Sequence, residues 1–237
     1  MDEKIKIIYE DADLMVIDKP GGLVVTNEGR TSKELTLEDW LKKERPNSLE
    51  RAGIVHRLDK GTSGLILVAK TPEALDYLKK QFKSRKVKKK YIALICGDLP
   101  REGGMKVPIG RNKFSFGKFG VDVDGKSAET RFVLISKYKK NNKIYSLVEI
   151  DLLTGRTHQI RVHFSNLRWP LVGDVLYSGE PFDPPAGRAG KLRASASRPF
   201  LHSHEISFVH PNGKTVLFES ALPIELNEIL KGYEKEG

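Results

Sequence analysis

Short apolar runs recur along most of the chain, and turn-forming residues separate them. Within the runs, β-branched and aromatic residues are common, and polar residues often alternate with apolar ones, as in half-buried strands. The pattern therefore predicts a protein rich in short strands. The predicted strands cover residues 4–9, 13–18, 53–58, 64–70, 90–97, 128–137, 143–152, 204–209 and 214–219.

Fewer segments place apolar residues three and four positions apart, which is the spacing of a helix with one buried face. Thr36 and Thr71 are predicted N-caps, because a threonine hydroxyl can accept a backbone N–H at a helix start. Pro72 then suits the first helical position, and Thr157 is a third predicted cap. The predicted helices cover residues 36–44, 157–168 and 223–233, together with one that begins at Pro72 and buries Leu75, Leu78 and Phe82.

The order of these elements favours an α+β fold. Turn sequences at residues 138–142 and 211–213 predict hairpins, and strands outnumber helices. We expect a single domain, residues 1–237, on a mixed, largely antiparallel central sheet flanked by helices and loops. Residues 101–126 have little apolar periodicity and are predicted to be a long loop or an extended excursion, and residues 181–199, which hold several prolines and glycines, are predicted to be a surface loop. Loops of that length are uncommon unless they bind something.

The composition fits a folded protein of a reducing compartment. The residue types AVILMFWYC make up 39% of the 237 residues, which excludes disorder over the whole chain. Cys96 is the single cysteine, so neither an internal disulfide nor a multi-cysteine metal site can form. No apolar run approaches the roughly 20 residues of a transmembrane helix, and the N-terminus lacks a signal-peptide pattern. We therefore expect a cytoplasmic protein that does not enter a membrane.

An excess of basic residues predicts a polyanionic partner. The formal net charge is +10, which would attract RNA, DNA or an anionic membrane surface. Residues 79–90 hold eight bases and no acid, although such a run is more often a solvated surface. Aromatic residues lie among the bases here and in residues 101–126, which favours nucleic acid over membrane. The contacts predicted from these stretches are Lys86, Lys88, Lys89, Lys90, Arg111 and Lys113.

The densest polar cluster within an apolar frame is residues 56–64. Arg57 and Lys60 lie close to Asp59 in sequence, and nearby opposite charges keep a carboxyl group ionised. An ionised, fixed aspartate can be a nucleophile, a general base or an electrostatic stabiliser. A structural ion pair in a tight turn is the alternative.

A second cluster, residues 154–163, lies where a predicted strand meets a predicted helix. Arg156 would lie at the helix start, where anions bind readily, and its target is either a phosphate or the Asp59 carboxylate. Packing is a more common role than metal ligation for the histidines in and after this cluster. They are His158, His163, His202 and His204.

Both clusters resemble a known family. HRLDKGTSG at 56–64 resembles the catalytic motif of the RluA-type pseudouridine synthases, and TGRTHQIRVH at 154–163 is similar to a second signature of that family. Other segments match in the family's order over nearly the whole chain. They are DKPGGLVV at 18–25, KYIA at 90–93, PLVGDVLY at 170–177 and LHSHEISFVHP at 201–211.

The resemblance implies a pseudouridine-synthase-like catalytic domain that isomerises uridine in structured ribosomal or transfer RNA. The N-glycosidic bond breaks, the uracil turns, and its carbon 5 joins the sugar, so no cofactor or metal is implied. Asp59 matches the catalytic aspartate, Tyr91 the tyrosine that stacks on the base, and Arg156 the arginine that pairs with the aspartate. Arg57 resembles the residue that fills the gap left by the flipped base. The remaining RNA contacts predicted in the motifs are Lys60, His158 and Arg161.

Many relatives carry an extra RNA-binding domain before the catalytic one. Here the first catalytic-domain strand is predicted from residue 4, so we expect the loops 101–126 and 181–199 to select the target. We expect a monomer. The main alternative is a non-catalytic RNA-binding or ribosome-assembly factor with the same fold. A phosphate-ester hydrolase would need a metal site or phosphate loop, and neither is evident in the sequence.

Overall fold

The structure is a computed structural model that describes residues 5–27, 34–112, 118–177 and 198–236. Lys113 and nearly all of the predicted loop 181–199 lie outside these residues. Strands and helices mix along the described chain, which confirms the predicted α+β class. No helix in these ranges is long and apolar enough to cross a membrane.

The described residues form twelve strands, four α-helices and two short 3₁₀ helices. The strands are β1 (Lys6–Glu10), β2 (Leu14–Lys19), β3 (Ser63–Ala69), β4 (Lys88–Cys96), β5 (Glu102–Lys106), β6 (Ile109–Arg111), β7 (Phe119–Val121), β8 (Glu129–Lys140), β9 (Lys143–Leu152), β10 (Leu201–Val209), β11 (Thr215–Glu219) and β12 (Glu234–Lys235). The α-helices are α1 (Leu37–Glu44), α2 (Pro72–Lys83), α3 (Gln159–Asn166) and α4 (Ile224–Leu230). The 3₁₀ helices are Glu50–Gly53 and Val175–Tyr177.

The chain divides into two compact units. The first comprises Met1–Lys89 and Ser203–Ala221, and the second comprises Lys90–His202 and Leu222–Gly237. The chain therefore passes from one unit to the other within β4 and again within β10. A single catalytic domain over residues 1–237 remains a prediction.

Antiparallel strands build the first unit. β1, β2 and β3 pair in sequence order, and β10 and β11 form a hairpin. β3 is buried along its whole length, which agrees with its continuous apolar sequence. Leu75 and Leu78 of α2 pack into the core of this unit, with Phe82 at the margin. The predicted buried face of that helix is thereby confirmed.

The second unit is built on the antiparallel strands β4, β9 and β8, which pair in that order. Asn141 and Asn142 connect β8 to β9 with φ angles of 51° and 59°. Two successive positive φ angles give a turn that matches the twist of paired strands, so the predicted hairpin is confirmed. β5 and β12 both pair with β8, and Leu226 and Ile229 of α4 pack into this unit's core.

Two of the predicted helix caps are confirmed. The Thr36 hydroxyl accepts the Asp39 N–H at 3.1 Å, and the Asp39 carboxylate accepts the Thr36 N–H at 3.0 Å. This reciprocal pair is a capping box. The Thr71 hydroxyl accepts the Ala74 N–H at 3.1 Å. Local hydrogen bonds thus fix where α1 and α2 begin.

The strand predicted over residues 53–58 is wrong. The backbone is left-handed at three successive residues, 51–53, so the chain turns where the apolar pattern suggested extension. Glycine is required at the end of this turn, because a Cβ on Gly53 would lie 2.0 Å from the Ala69 carbonyl oxygen. Within residues 53–58, strand pairing is limited to an isolated antiparallel bridge between Ile54 and Val68.

The long loop predicted over residues 101–126 is wrong in part, because β5, β6 and β7 lie within it. β5 has the sequence EGGMK, which carries little strand signal. It is extended because the edge of β8 supplies backbone hydrogen-bond partners from Glu102 to Lys106. β6 and β7 pair with each other as a separate two-stranded sheet.

Replacing Thr36 with alanine should lower the free energy of unfolding by about 1 kcal/mol, because the capping hydroxyl is lost. Urea denaturation measures the change. Lys43→Ala, an exposed change in the same helix, should shift the same quantity by less than about 0.5 kcal/mol. Equal effects of the two variants would contradict the importance of the capping box.

Candidate active site

The acid of the first motif lies in a tight turn directly before β3. The Thr62 N–H donates to the Asp59 carbonyl oxygen at 3.0 Å and closes the turn. Leu58 is buried, with 5% of its surface exposed, whereas Arg57 is exposed and Asp59 is half-buried. The turn therefore fixes the backbone of Asp59 while part of the residue stays accessible to solvent.

A buried lysine secures the backbone just after Asp59. Lys19, at the end of β2, is fully buried, and its ammonium donates to the carbonyl oxygens of Pro20 at 2.8 Å and Leu23 at 2.9 Å. The carbonyl oxygen of Lys60 accepts from the same ammonium at 3.5 Å and from the Gly22 N–H at 2.7 Å. These bonds offset the cost of burying the charge. Our sequence reasoning missed this role, although a lysine between a buried strand and Pro-Gly-Gly was a visible signal.

His56 precedes the turn and is held on two sides. Its Nε2 accepts the Leu67 N–H of β3 at 3.0 Å, and its ring stacks on Phe82 of α2 with centroids 4.9 Å apart. An Nε2 that accepts a hydrogen bond carries no proton, so the ring is neutral. Burial, with a smaller effect from the charge of Lys89, lowers the pKa of His56 to about 3.

The basic stretch before Tyr91 is unevenly exposed. Lys86 and Lys88 are exposed to solvent, whereas Lys89 is half-buried. Burial lowers the pKa of Lys89 to about 8, and its Nζ lies 5.8 Å from the centroid of the Phe82 ring. Lys86 and Lys88 are therefore better placed than Lys89 to contact an anion in solution.

Three other predicted RNA contacts already have partners in the protein. They are Lys60 with Glu34 at 2.8 Å, Lys90 with Glu149 at 3.0 Å, and Arg111 over the Phe119 ring at 5.9 Å. The Lys60–Glu34 pair is exposed, and an exposed ion pair is worth little. A phosphate can therefore compete for Lys60, whereas Lys90 and Glu149 are both half-buried.

Tyr91 occupies β4 in the second unit, opposite Ile150 of β9. Only 4% of its surface is exposed. Strand pairing therefore fixes where this ring lies. Stacking of a base on the ring stays a prediction.

The second motif bends sharply before α3. The helix predicted over residues 157–168 begins instead at Gln159, and Thr157 does not cap it. His158 takes the cap position with a left-handed backbone, φ 55°, and makes no side-chain cap hydrogen bond. The Gln159 side chain instead accepts the Arg156 N–H at 3.0 Å. This bond stabilises the turn before α3 but does not cap the helix, because the Arg156 N–H lies outside α3.

Arg156 is oriented from both its backbone and its side chain. In addition to the backbone bond, its Nε donates to the Ser127 carbonyl oxygen at 3.1 Å. The same Gln159 oxygen also accepts the Thr154 hydroxyl at 2.7 Å. The turn therefore orients the guanidinium, and pairing of Arg156 with Asp59 stays a prediction.

His158 is tied to Tyr177. The Nδ1 of His158 lies 2.9 Å from the Tyr177 hydroxyl, which accepts the Phe119 N–H at 3.0 Å. Since the hydroxyl accepts from Phe119, it can donate its own proton to Nδ1. The ring proton of a neutral His158 then lies on Nε2. His158 is half-buried, so a contact with RNA through Nε2 stays a prediction.

Arg161 pairs with an acid within the protein. It is 8% exposed, and its Nε and one terminal nitrogen donate to the two Asp174 carboxylate oxygens at 2.7 and 2.8 Å. Its guanidinium also lies 5.0 Å from the centroid of the Tyr177 ring. This buried pairing does not support the predicted RNA contact. Six successive residues, 159–164, are buried in α3, so neither the burial of Arg161 nor its partner, thirteen residues away, follows from the helical spacing in the sequence.

The histidines considered as metal ligands have other roles or remain weak candidates. His163 is buried and hydrogen-bonded to Thr130 and to the Val107 carbonyl oxygen, which is the packing role. Within the described ranges, two groups have metal-ligand spacing, namely Asp11–Asp13–His210 and His204–Glu205–Glu219. In the first group, Asp11 already accepts two backbone N–H groups and lies 2.8 Å from His210. The Asp11 carboxylate therefore has a structural role.

Comparison with known proteins identifies the family. Residues 13–166 match the model of the family described as RNA pseudouridylate synthase. The chain is 39% identical over 230 residues to "Ribosomal large subunit pseudouridine synthase D" of Nitrosomonas europaea, covering 96% of this chain and 64% of that protein. It is 36% identical over 241 residues to the protein of the same name in Xanthomonas campestris, covering 99% of this chain and 71% of that protein. The chain belongs to the RNA pseudouridylate synthase family, so the resemblance of its two motifs is confirmed.

A solved structure supports the same fold. "Human RNA Pseudouridylate Synthase Domain Containing 1" matches with a TM-score of 0.77 and 27% sequence identity, covering 100% of this chain and 90% of that chain. The chain thus shares its fold with a pseudouridylate synthase domain. It spans 64% of the length of the Nitrosomonas relative.

Replacing Asp174 with alanine should lower the free energy of unfolding by about 3–5 kcal/mol, because Arg161 would keep a buried charge without its carboxylate. Urea denaturation provides the comparison. Glu34→Ala removes the partner of Lys60 at an exposed pair and should cost less than about 1 kcal/mol. Similar losses in the two variants would show that the buried Arg161–Asp174 pair contributes no more to stability than an exposed ion pair does.

Because the pKa of His56 is lowered, the free energy of unfolding should fall as the pH is lowered. The unfolded chain binds a proton at His56 near pH 6.5, whereas the native chain does so only near pH 3. Its contribution is therefore complete above pH 6.5 and is lost as the pH falls towards 3. Between about pH 7.5 and 5, wild type should lose about 2 kcal/mol more than His56→Gln in urea titrations. Equal losses of stability in wild type and His56→Gln would show that the native fold does not lower the pKa of His56.

Proposed function

We propose that the chain is an RNA pseudouridine synthase that isomerises uridine in large-subunit ribosomal RNA. The observation that carries the proposal is the family match over residues 13–166, which includes both motifs completely. The names of the Nitrosomonas and Xanthomonas relatives favour ribosomal RNA over transfer RNA as the substrate. A cytoplasmic location agrees with this substrate and stays a prediction.

Asp59 is the proposed catalytic carboxylate. It is half-buried, its backbone is held by the turn to Thr62, and it has Arg57 and Lys60 as sequence neighbours. Either it attacks the anomeric carbon of the sugar and is displaced again when carbon 5 attacks, or it removes a sugar proton that returns to the sugar at the end of a glycal route. In both routes the N-glycosidic bond breaks and carbon 5 of uracil forms the new bond. Carbon 5 loses its proton, nitrogen 1 gains one, and no electron acceptor is needed.

Tyr91 and Arg156 are proposed to assist Asp59, as the family resemblance implies. Tyr91 would stack on the uracil and help to move the carbon 5 proton. Arg156 would pair with the Asp59 carboxylate, and the Ser127 carbonyl holds its Nε in a defined orientation. A guanidinium stays charged at any working pH. It therefore suits the stabilisation of a carboxylate throughout the reaction.

RNA binding is proposed to use exposed basic side chains, and the target uridine is proposed to flip out of the RNA. Arg57 is exposed directly beside Leu58 and Asp59, and it would occupy the space that the flipped uridine leaves in the RNA. Extruding a base costs a few kcal/mol. Phosphate contacts from Lys86 and Lys88, both exposed, would offset that cost and make binding sensitive to salt.

Replacing Asp59 with asparagine should abolish catalysis and leave RNA binding intact. The assay follows tritium released from carbon 5 of labelled uridine in unmodified large-subunit ribosomal RNA. Wild type should release tritium, and the Asp59→Asn rate should fall at least about 1,000-fold because the reactive carboxylate is gone. Filter binding should give equal affinities for the two proteins.

The matched control is Asp76→Asn, the same chemical change at an exposed acid on α2. It should keep the wild-type rate. Salt-sensitive binding without release by wild type would favour the non-catalytic RNA-binding factor. Release by Asp59→Asn at the wild-type rate would refute the role given to this carboxylate.

A further inference from the structure

His56 lies three residues before Asp59, and the reaction itself gives it no task. We propose that His56 is a positioning residue whose ring ties the backbone before Asp59 to β3 and to α2. This inference rests on the proposed function, because it concerns the residue assigned there as the catalytic carboxylate. It adds a residue on which the rate depends although it does not touch the reacting atoms.

The first observation is the point at which the chain before Asp59 stops pairing with β3. Ile54 forms an isolated antiparallel bridge with Val68, and the Val55 N–H points at the Leu67 carbonyl oxygen at 3.5 Å. A continuing strand would next offer a backbone carbonyl to the Leu67 N–H. The His56 ring accepts that N–H instead, at 3.0 Å. The ring thus replaces the strand partner at the point where the chain turns towards Asp59.

The second observation is that the ring is fixed in plane as well as in position. The Phe82 ring of α2 stacks on it with an interplanar angle of 28° and a centroid separation of 4.9 Å. Leu58, two residues further on, is buried. His56 and Leu58 thus bracket the exposed Arg57. A displacement at His56 would reach Asp59 across only two intervening residues.

The third observation concerns protonation. Nε2 is used as an acceptor, so an imidazolium would place an N–H against the Leu67 N–H. Lys89 lies near the other member of the stack, with its Nζ 5.8 Å from the Phe82 centroid, and its charge further disfavours the imidazolium. His56 is therefore neutral near pH 7 and unsuited to donate a proton. Its contribution is through geometry.

The test compares two substitutions at this position. His56→Phe keeps an aromatic ring on Phe82 but removes the acceptor, whereas His56→Gln restores an acceptor at about the distance of Nε2. In single-turnover tritium release, His56→Phe should lower the rate about 10- to 100-fold, the scale expected for a misplacement of roughly 1 Å. Its RNA affinity should stay within about threefold of wild type. His56→Gln should recover most of the rate.

The matched control is Gln81→Met in α2. Gln81 is also buried, and its side chain exchanges two hydrogen bonds with the Val209 backbone. Its loss should destabilise the first unit without disturbing the backbone before Asp59. All assays run well below the melting midpoint of the least stable variant. Gln81→Met should therefore react at the wild-type rate despite a lower midpoint.

Different failures are distinguishable. A wild-type rate for His56→Phe, while Asp59→Asn stays inactive, would overturn the inference and leave the proposed function standing. Equal losses in His56→Phe and Gln81→Met would also overturn it, because general loosening would then explain both. Failure of wild type to release tritium would instead count against the proposed function.

Discussion

Three hydrogen bonds fix the backbone on either side of Asp59, and the proposed chemistry depends on them. The Leu67 N–H donates to the His56 ring, the Thr62 N–H donates to the Asp59 carbonyl oxygen, and the Gly22 N–H donates to the Lys60 carbonyl oxygen. The first bond joins the chain before Asp59 to β3, the second closes the turn itself, and the third joins the turn to the loop after β2. A carboxylate must be held within a fraction of an ångström to react efficiently. The buried ends of β2 and β3 supply that rigidity.

Local sequence signals predicted the elements whose causes are local. Thr36 and Thr71 cap α1 and α2 through neighbours three residues away, and the positive φ angles of Asn141 and Asn142 form the predicted hairpin. The predictions failed where a contact with a residue distant in sequence determines the local structure. Residue 53 must be glycine because the Ala69 carbonyl leaves no room for a side chain, and β5 is extended because β8 offers its edge. Neither partner is visible from the pattern around the residue itself.

In the candidate site, too, local sequence signals were informative and contacts between distant residues were missed. The two motifs identified Asp59 and Arg156 as candidates, and the segment KYIA at 90–93 identified Tyr91, because these segments resemble the family's signatures. The pairing of Arg161 with Asp174 was not predicted, because Asp174 lies beyond α3 in the sequence. The RNA contact of Arg161 stays a prediction. Lys19 and His56 were overlooked as functional residues, since their contacts with Lys60 and Leu67 appear only after folding. Charge counting therefore predicts a polyanion partner without showing which bases remain exposed.

The central claim is that this chain converts uridine to pseudouridine in large-subunit ribosomal RNA. The most direct measurement is chromatographic analysis of nucleosides after complete digestion of an unmodified transcript incubated with the protein. A transfer RNA pool treated in the same way serves as the comparison. The account predicts a pseudouridine peak with an equal loss of uridine in the ribosomal transcript and none in the transfer RNA pool. No pseudouridine in the ribosomal transcript, or pseudouridine in the transfer RNA alone, would contradict it.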